Sequence, residues 1–363
     1  MNQWFPEMKG SLGFGCMRLK MNGENVDYGV FSQMVDTFLE NGFNYFDTAR
    51  IYLDGKSEIA LRDCLTSRYP RESYVLTDKL SMNCFQCKED IEPFLDSQLQ
   101  ACGVDYFDFY LMHAQSSRNY DQYRNACAYE EALRFKEMGK IRHLGISFHD
   151  NAEVLDQILT ENPAVEVVQL QFNYVDYEDA RVQSRLCYEV CVKHGKPVMV
   201  MEPVKGGHLV NMPDVAGEVL DDLQGGSRAS YALRFAASFP NVIMVLSGMG
   251  NMDMMRDNIA VMKDPVPLND REMEAVQRVA SIFHGEEQIP CTGCRYCVDG
   301  CPQQIPIPDI FAAVNEAKKT GEKADLSKLS GGTASQCVRC WQCQEICPQF
   351  LPICSLLRKI AEA

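Results

Sequence analysis

"NVIMVLSG", residues 241–248, sets five apolar residues in a row, Val242 to Leu246, before a small polar end. A strand with one wet face alternates apolar and polar side chains. A strand covered on both faces need not, and such burial marks a parallel sheet flanked by helices. Seven further runs of strand type precede it: "SLGFGCM" (11–17), "FNYFD" (43–47), "SYVLTD" (73–78), "YFDFYLMH" (106–113), "IRHLGIS" (141–147), "VEVVQLQ" (165–171) and "KPVMVME" (196–202). Amphipathic stretches separate them, such as "YGVFSQMVDTFLENG" (28–42) and "CKEDIEPFLDSQLQACG" (87–103). Eight strand–helix units in about 250 residues predict an α/β fold, the (β/α)8 TIM barrel. A doubly wound open sheet is the structural rival, and it asks for a Gly-x-Gly-x-x-Gly turn that opens a helix. "GSLGFGCMRL" (10–19) carries Gly10, Gly13 and Gly15, but no helical pattern follows directly.

The 363 residues are 46% hydrophobic and 23% charged, the balance of a soluble globular protein with one large domain and a small one. A formal net charge of −15 argues against a nucleic-acid partner, because phosphate binding needs clustered Lys and Arg. The opening "MNQWFPEMKGS" lacks the basic-then-apolar pattern of a signal peptide. No run of about 18 apolar residues marks a membrane span. The expectation is a cytoplasmic protein with no membrane partner.

Seventeen cysteines are many for such a chain. Eight stand in two copies of one pattern, Cys-x2-Cys-x2-Cys-x3-Cys-Pro: "CTGCRYCVDGCP" (291–302) and "CVRCWQCQEICP" (337–348). The rest are scattered, as free thiols in a reducing compartment are. Cys84 and Cys87 form one bare C-x2-C without the second pair a closed metal site needs, and Cys187 and Cys191 suit helix packing. In the bacterial two-cluster arrangement, the fourth cysteine of each run ligates the other cluster. That assigns Cys291, Cys294, Cys297 and Cys347 to one [4Fe–4S] cluster, and Cys337, Cys340, Cys343 and Cys301 to a second. Pro302 and Pro348 follow the fourth cysteines. A pair of zinc sites is the alternative, but zinc usually takes its ligands two and two across a longer loop. The segment resembles a bacterial-type ferredoxin domain with two [4Fe–4S] clusters, which divides the chain into 1–284 and 285–363. Between the runs, "DIFAAVNEAKKTGE" (309–322) predicts a helix with Asp309 at its N-cap and Gly321 after its end.

Polar residues close several of the predicted strands. Asp47 ends the second run, Lys79 follows the third in "VLTDKL", and His113 ends the fourth; they lie 32 and 34 residues apart, one βα unit each. Tyr52 follows Asp47 on the loop above it. The C-terminal strand ends of a barrel are where active sites form, so Asp47, Tyr52, Lys79 and His113 would meet in one mouth. Singly, each has a structural reading: a helix cap, a solvated lysine or a satisfied core histidine.

"FDTARIY" (46–52), "TDKL" (77–80) and "LMHA" (111–114) resemble the catalytic segments of the aldo-keto reductase family. The resemblance spans about residues 9–284 and, with the tail, matches the branch that carries a C-terminal iron–sulfur domain. It implies a catalytic tetrad of Asp47, Tyr52, Lys79 and His113. A carbonyl that receives hydride at carbon develops charge on oxygen and needs a proton donor nearby. Tyr52 would be that donor, with its pKa lowered by Lys79; Asp47 would hold Lys79, and His113 would orient the carbonyl.

The same resemblance implies an NAD(P)H site. "LGISF" brings Ser147 to a carboxamide contact, with Phe148 where Asn is usual, and "VVQLQFN" brings Gln169 to the other. "VMVMEPVKGG" resembles the pyrophosphate loop: Met201 stands where many members stack a Tyr, Pro203 follows, and Gly206 and Gly207 admit phosphate oxygens. Gly15 and Met17 would border the cofactor, and "SGMGNMDMMRDNIA" (247–260) brings Gly248, Asn251 and Asn258 to its adenosine end. Gly248 and Met254 fill positions where many members aim a cation at the 2′-phosphate, leaving Arg256 or Lys205 as substitutes and the choice between NADH and NADPH open. The expected substrate is a small-molecule carbonyl or alcohol, with the clusters structural or electron-relaying and a redox partner protein in the second case. Two rivals remain. The clusters could feed single electrons to a substrate in the mouth, or the chain could be an electron carrier with an inert barrel.

Overall fold

The computed structural model describes residues 3–285, 288–320 and 323–362. Its eight parallel strands close into a barrel: β1 (Leu12–Gly15), β2 (Tyr45–Asp47), β3 (Val75–Leu80), β4 (Phe107–Gln115), β5 (Ile141–Phe148), β6 (Val167–Gln171), β7 (Val198–Met201) and β8 (Val242–Ser247). Each expected run supplies one strand, and β1 closes the circle by pairing with both β2 and β8. The register aligns Gly15 with Asp47, Lys79 with Leu111, Ser147 with Gln169, and Gln171 with Met201, so the polar strand ends share one rim.

Two apolar layers hold the barrel. Tyr45, Phe109, Leu111, Val167, Met199, Met244 and Leu246 fill its interior, with Phe5 and Met8 packed against them. A larger layer lies between the sheet and the surrounding helices. Helix Tyr28–Glu40 shows why such helices form: the Asp27 carboxylate accepts from the Val30 amide at 3.1 Å, and Phe31, Met34, Val35 and Phe38 make one buried stripe. Cys187 and Cys191 are buried on helix Ser184–Lys193, as packing residues would be. Among the described residues, no helix is long and apolar enough to cross a membrane.

The tail has its own small core of Ile305, Ile307, Ile310, Phe311, Leu351, Ile353 and Leu357. Its long helix runs Ile307–Thr320, three residues ahead of the start that an Asp309 cap implies, so Asp309 lies in the first turn and pairs with Arg295 at 3.0 Å. The chain supplies Ile307-Pro308 there, and proline suits a helix's first turn because its missing N–H has no partner to lose. Gly321 lies outside the described residues.

The tail docks across the mouth of the barrel. Arg18 Nη2 donates to the Thr292 carbonyl at 2.8 Å, and His208 Nε2 to the Cys291 carbonyl at 2.7 Å. Arg118 Nη1 donates to the carbonyls of Gln344, at 3.2 Å, and Glu345. Gln349 is buried against Gln171, and the Lys205 ammonium, paired with Asp176, donates to Gln349 Oε1 at 3.2 Å. Gly206 has φ +63°, and a Cβ there would stand 2.7 Å from the Thr292 carbonyl oxygen. Gly206→Ala should therefore weaken docking by about 1–3 kcal/mol through backbone strain and overpacking. Limited proteolysis should release the tail about tenfold faster, with the barrel's far-UV circular dichroism unchanged; an unaltered cleavage rate would contradict this.

Candidate active site

A buried ammonium organises the mouth. Lys79 Nζ donates to Asp47 Oδ1 at 2.6 Å, to the Thr48 carbonyl at 2.7 Å and to Tyr52 Oη at 3.2 Å. All three of its protons are placed, which is what a side chain with 0% exposure requires. The second Asp47 oxygen accepts from Gln169 Nε2 at 3.0 Å. Tyr52 opens a short turn, Tyr52–Gly55, in which Leu53 and Asp54 both take left-handed backbone angles. His113, on β4, places Nδ1 2.6 Å from Ser81 Oγ, and its ring meets Tyr52 edge-on with centroids 6.0 Å apart.

Burial sets the protonation of this group. It pushes His113 well below its ordinary range, with Lys79's charge adding to the effect, so the imidazole is neutral near pH 7. Burial, followed by the Asp47 charge, pushes the Tyr52 phenol well above 10. The sequence led us to expect Lys79 to lower it. In the folded site, desolvation and then the Asp47 charge decide its acidity instead. Tyr52 thus holds its proton.

A cleft of about 490 Å³ runs from this group along the rim. Of the positions that sequence assigned to a cofactor, Gly15, Met17, Gln169, Met201, Pro203, Gly206, Gly207, Gly248 and Asn258 line it, together with Asp47 and Tyr52. Ser147 and Asn251 are not among the lining residues. The Ser147 hydroxyl accepts from the Ala114 amide at 2.7 Å, and Asn251 caps helix Met252–Met262 by accepting from the Met254 amide at 2.9 Å. Lys205 is buried and held by Asp176, while Arg256 is exposed and outside the lining, so neither offers a cation to the cleft.

A second cavity of about 340 Å³ lies on the other side of Tyr296 and His149, which border both spaces. Its barrel wall includes Ser81, His113 and Arg118; its other wall comes from the tail, with Asp299, Gly300, Gln342, Glu345 and Ile346. Apart from His113, sequence reasoning missed these residues. His149 stands two places beyond Ser147, and burial lowers its pKa to about 4, leaving a neutral ring whose Nδ1 has no partner. Tyr296 stood in plain view inside the first cysteine run, where the metal pattern absorbed all the signal.

Burial raises the thiols of Cys291, Cys294, Cys297 and Cys347, and neighbouring cysteines of the same set, Cys347 among them, raise the first three further, which places the four in one neighbourhood. Cys337, Cys340 and Cys343 form another, joined by Cys354, a residue outside the repeats. Cys301 Sγ accepts from the Ile305 amide at 3.5 Å. Among the described residues, no three metal-ligating side chains converge as those of one ion do. A cube of iron and sulfide instead holds its thiolates apart at its corners, and its positive irons offset the cost of burying thiolate charge, so the first set fits a cluster.

The aldo/keto reductase family model matches residues 11–281, three quarters of the sequence. The chain belongs to the aldo/keto reductase family. A model described as a 4Fe-4S dicluster domain matches residues 290–351 of this aldo/keto reductase. An aldo-keto reductase of Mycolicibacterium vanbaalenii is 28% identical over 237 residues, covering 63% of this chain and 76% of the relative. The NADH-specific methylglyoxal reductase of Escherichia coli is 23% identical over 301 residues, covering 68% and 87% respectively. A crystal structure of an aldo-keto reductase from Klebsiella pneumoniae in complex with NADPH superposes with a TM-score of 0.60 at 18% identity, covering 74% of this chain and 90% of that one. The chain is an oxidoreductase of that family with an iron–sulfur segment attached.

Asp47→Asn removes the charge from a pair whose side chains are 0% and 5% exposed, leaving Lys79 buried and uncompensated. The expected loss of barrel stability is about 3–5 kcal/mol, read as a lowered urea midpoint at pH 7. A loss under about 1 kcal/mol would mean that water or another anion reaches Lys79.

Proposed function

We propose that this aldo/keto reductase reduces a small-molecule carbonyl compound, or oxidises the matching alcohol, with NAD(P)H or NAD(P)⁺. The observation that carries the reading is the Lys79 ammonium bridging Asp47 and Tyr52 beside a neutral His113. The lining of the cleft supports a dinucleotide: glycines at 15, 207, 248 and 250 leave room for close approach, and His149 Nδ1 and Glu202 Oε2 are buried polar atoms without partners. Gln169 and Met201 would border the nicotinamide, Gly207 the phosphates and Asn258 the adenine. Bound there, the reduced nicotinamide supplies hydride.

The protein's part is to manage the oxygen. As charge grows on the carbonyl oxygen, Tyr52 gives up its proton, and Lys79 stabilises the phenolate left behind. Asp47 keeps the ammonium in place. With Ser81 donating to Nδ1, His113 carries its proton on Nε2 and donates it to the carbonyl oxygen. The smaller cavity, which Arg118, Asp299 and Glu345 all line, supports a polar substrate. We infer a division into a barrel, 1–284, and a domain for two [4Fe–4S] clusters, 285–363, because the two parts have separate cores.

Tyr52→Phe keeps the ring and removes the proton donor. Turnover of para-nitrobenzaldehyde, followed by NAD(P)H absorbance on anaerobically purified protein, should fall by about 10²–10⁴. Near-native turnover would remove Tyr52 from the role. For the cofactor, no cation beyond Arg18, which is spent on Thr292 and Glu202, lines the cleft, and Asp257 adds a negative charge. Fluorescence titration should show NADPH binding no more than about tenfold tighter than NADH. The name of the Escherichia coli relative agrees with use of NADH. A preference for NADPH of several hundredfold would mean that a cation moves in.

A second reading rests on Cys294, which lines the same cleft as Tyr52 and Met201. A cluster held by the first cysteine set would border the cofactor site, close enough to exchange single electrons. Anaerobic mixing with NADH or NADPH separates the roles. Bleaching of cluster absorbance during turnover favours relay; unchanged clusters under full turnover favour a structural role.

A further inference from the structure

Glu202 is the first residue past β7, and its backbone is strained: φ is +56°, a left-handed angle that a residue with a Cβ rarely takes. The bend is clamped, because the Glu202 carbonyl accepts from Asn173 Nδ2 at 3.0 Å and from the Lys205 amide at 3.0 Å. Glu202 lines the cofactor cleft between Met201 and Pro203. Sequence assigned a role to both of those neighbours and none to Glu202. Its carboxylate is only half used. Arg18 Nη2 stands 3.5 Å from Oε1 and also donates to the Thr292 carbonyl at 2.8 Å, while Oε2 is buried without a hydrogen-bond partner. A carboxylate oxygen left so is costly, and a ligand that brings a donor relieves that cost. The side chain is 18% exposed, and the last torsion of a glutamate is soft, so either oxygen can be turned to the cleft.

Order along the chain says which part of a dinucleotide meets this carboxylate. Hydride has to leave beside Tyr52, which fixes the nicotinamide end of the cleft. Gln169, hydrogen-bonded to Asp47, and Met201, on the neighbouring strand, border that end in the reading above. The pyrophosphate needs bare backbone amides, and Gly207 offers one: at φ +97°, a Cβ built there would meet nothing nearer than 4.0 Å. Glu202 lies on the short segment that joins these two places. In the cofactor, the group between nicotinamide and pyrophosphate is a ribose, with two neighbouring hydroxyls that can donate to an oxygen able only to accept.

We propose that Glu202 is a cofactor-binding residue: its carboxylate accepts from the hydroxyls of the nicotinamide ribose, and Arg18, anchored on the Thr292 carbonyl of the iron–sulfur segment, holds it in place. This rests on the reading of the cleft as an NAD(P)H site. NADH and NADPH are alike at this ribose, so Glu202 strengthens the binding of both equally and does not choose between them.

The test is a binding cycle on full-length, cluster-loaded protein prepared without oxygen. Fluorescence titration gives the Kd of NADH and of an NADH analogue whose nicotinamide ribose lacks both hydroxyls. The two ligands carry the same charge, so any easing of phosphate repulsion in a variant cancels in their ratio. The native protein should prefer NADH, and Glu202→Ala should cut that preference by about tenfold or more, the worth of hydrogen bonds to a charged group. A smaller cut overturns the proposal. The preference between NADH and NADPH should stay within about threefold of native. A larger shift would put the carboxylate at the adenosine ribose, where the 2′-phosphate sits, and overturns the proposal too. If Glu202→Ala no longer binds NADH, Glu202→Gln, of the same shape and with one accepting oxygen, goes through the same cycle, and a cut of about threefold or more supports the proposal while a smaller one overturns it. If neither variant binds NADH, the carboxylate serves the structure of the cleft and the proposal is overturned. The two levels separate in the native protein: if it binds NADH or NADPH and the cycle shows no coupling, this inference alone fails, and if it binds neither, the reading of the cleft fails with it.

Discussion

The mouth of this barrel is organised by the cost of burying one ammonium. Lys79 has no access to water, so each of its protons must meet an oxygen, and Asp47, Thr48 and Tyr52 supply them. That requirement fixes Tyr52 relative to β2 and β3, and Gln169 then satisfies the remaining Asp47 oxygen from β6 across the barrel. The polar group is rigid because leaving any member unpaired would be expensive.

The tail is tied to the same rim by the same physics. Gln349, directly after the last proline of the second run, is buried among Gln171, Asp176 and Lys205, and Asp176 pairs with the Lys205 charge. Gly206 gives up its side chain to let Thr292 approach. The iron–sulfur segment therefore does not hang from the barrel as a separate bead. It forms one wall of a cavity whose opposite wall holds His113, and it brings the thiol of Cys294 to the edge of the cofactor cleft. The first cysteine run and the barrel's rim thus share a boundary, at which Cys294 and Tyr296 line the same cleft as Tyr52 and Met201.

Much of this was legible from local pattern. Runs such as Val242–Leu246 specify strands covered on both sides, and the spacing from Asp47 through Lys79 to His113 tracks one βα unit at a time, so barrel periodicity carries those residues to one rim. The cysteine runs announce their own chemistry by spacing. Tertiary neighbours add what the local pattern omits. Lys79 does not dominate the Tyr52 acidity, because burial and Asp47 act on the same oxygen. Ser147 turns to the Ala114 amide, and Lys205 is consumed by Asp176. Ser147 and Ala114, like Lys205 and Asp176, lie about thirty residues apart and meet only in the fold.

By itself, the sequence determined what repeats along the chain: strand and helix alternation, the polar residues at successive strand ends, and the two cysteine runs, because periodicity and spacing are local properties that survive without knowledge of distant partners. Only the tertiary structure decided which surfaces meet. Tyr296 and Gln342 occupy equivalent places in similar turns, yet of the two only Tyr296 lines the cleft that Tyr52 borders, while both line the cavity beside it. That docking depends on Arg18, Arg118, Gly206, His208 and Gln349, five residues scattered over more than three hundred positions whose only common property is the face they share after folding.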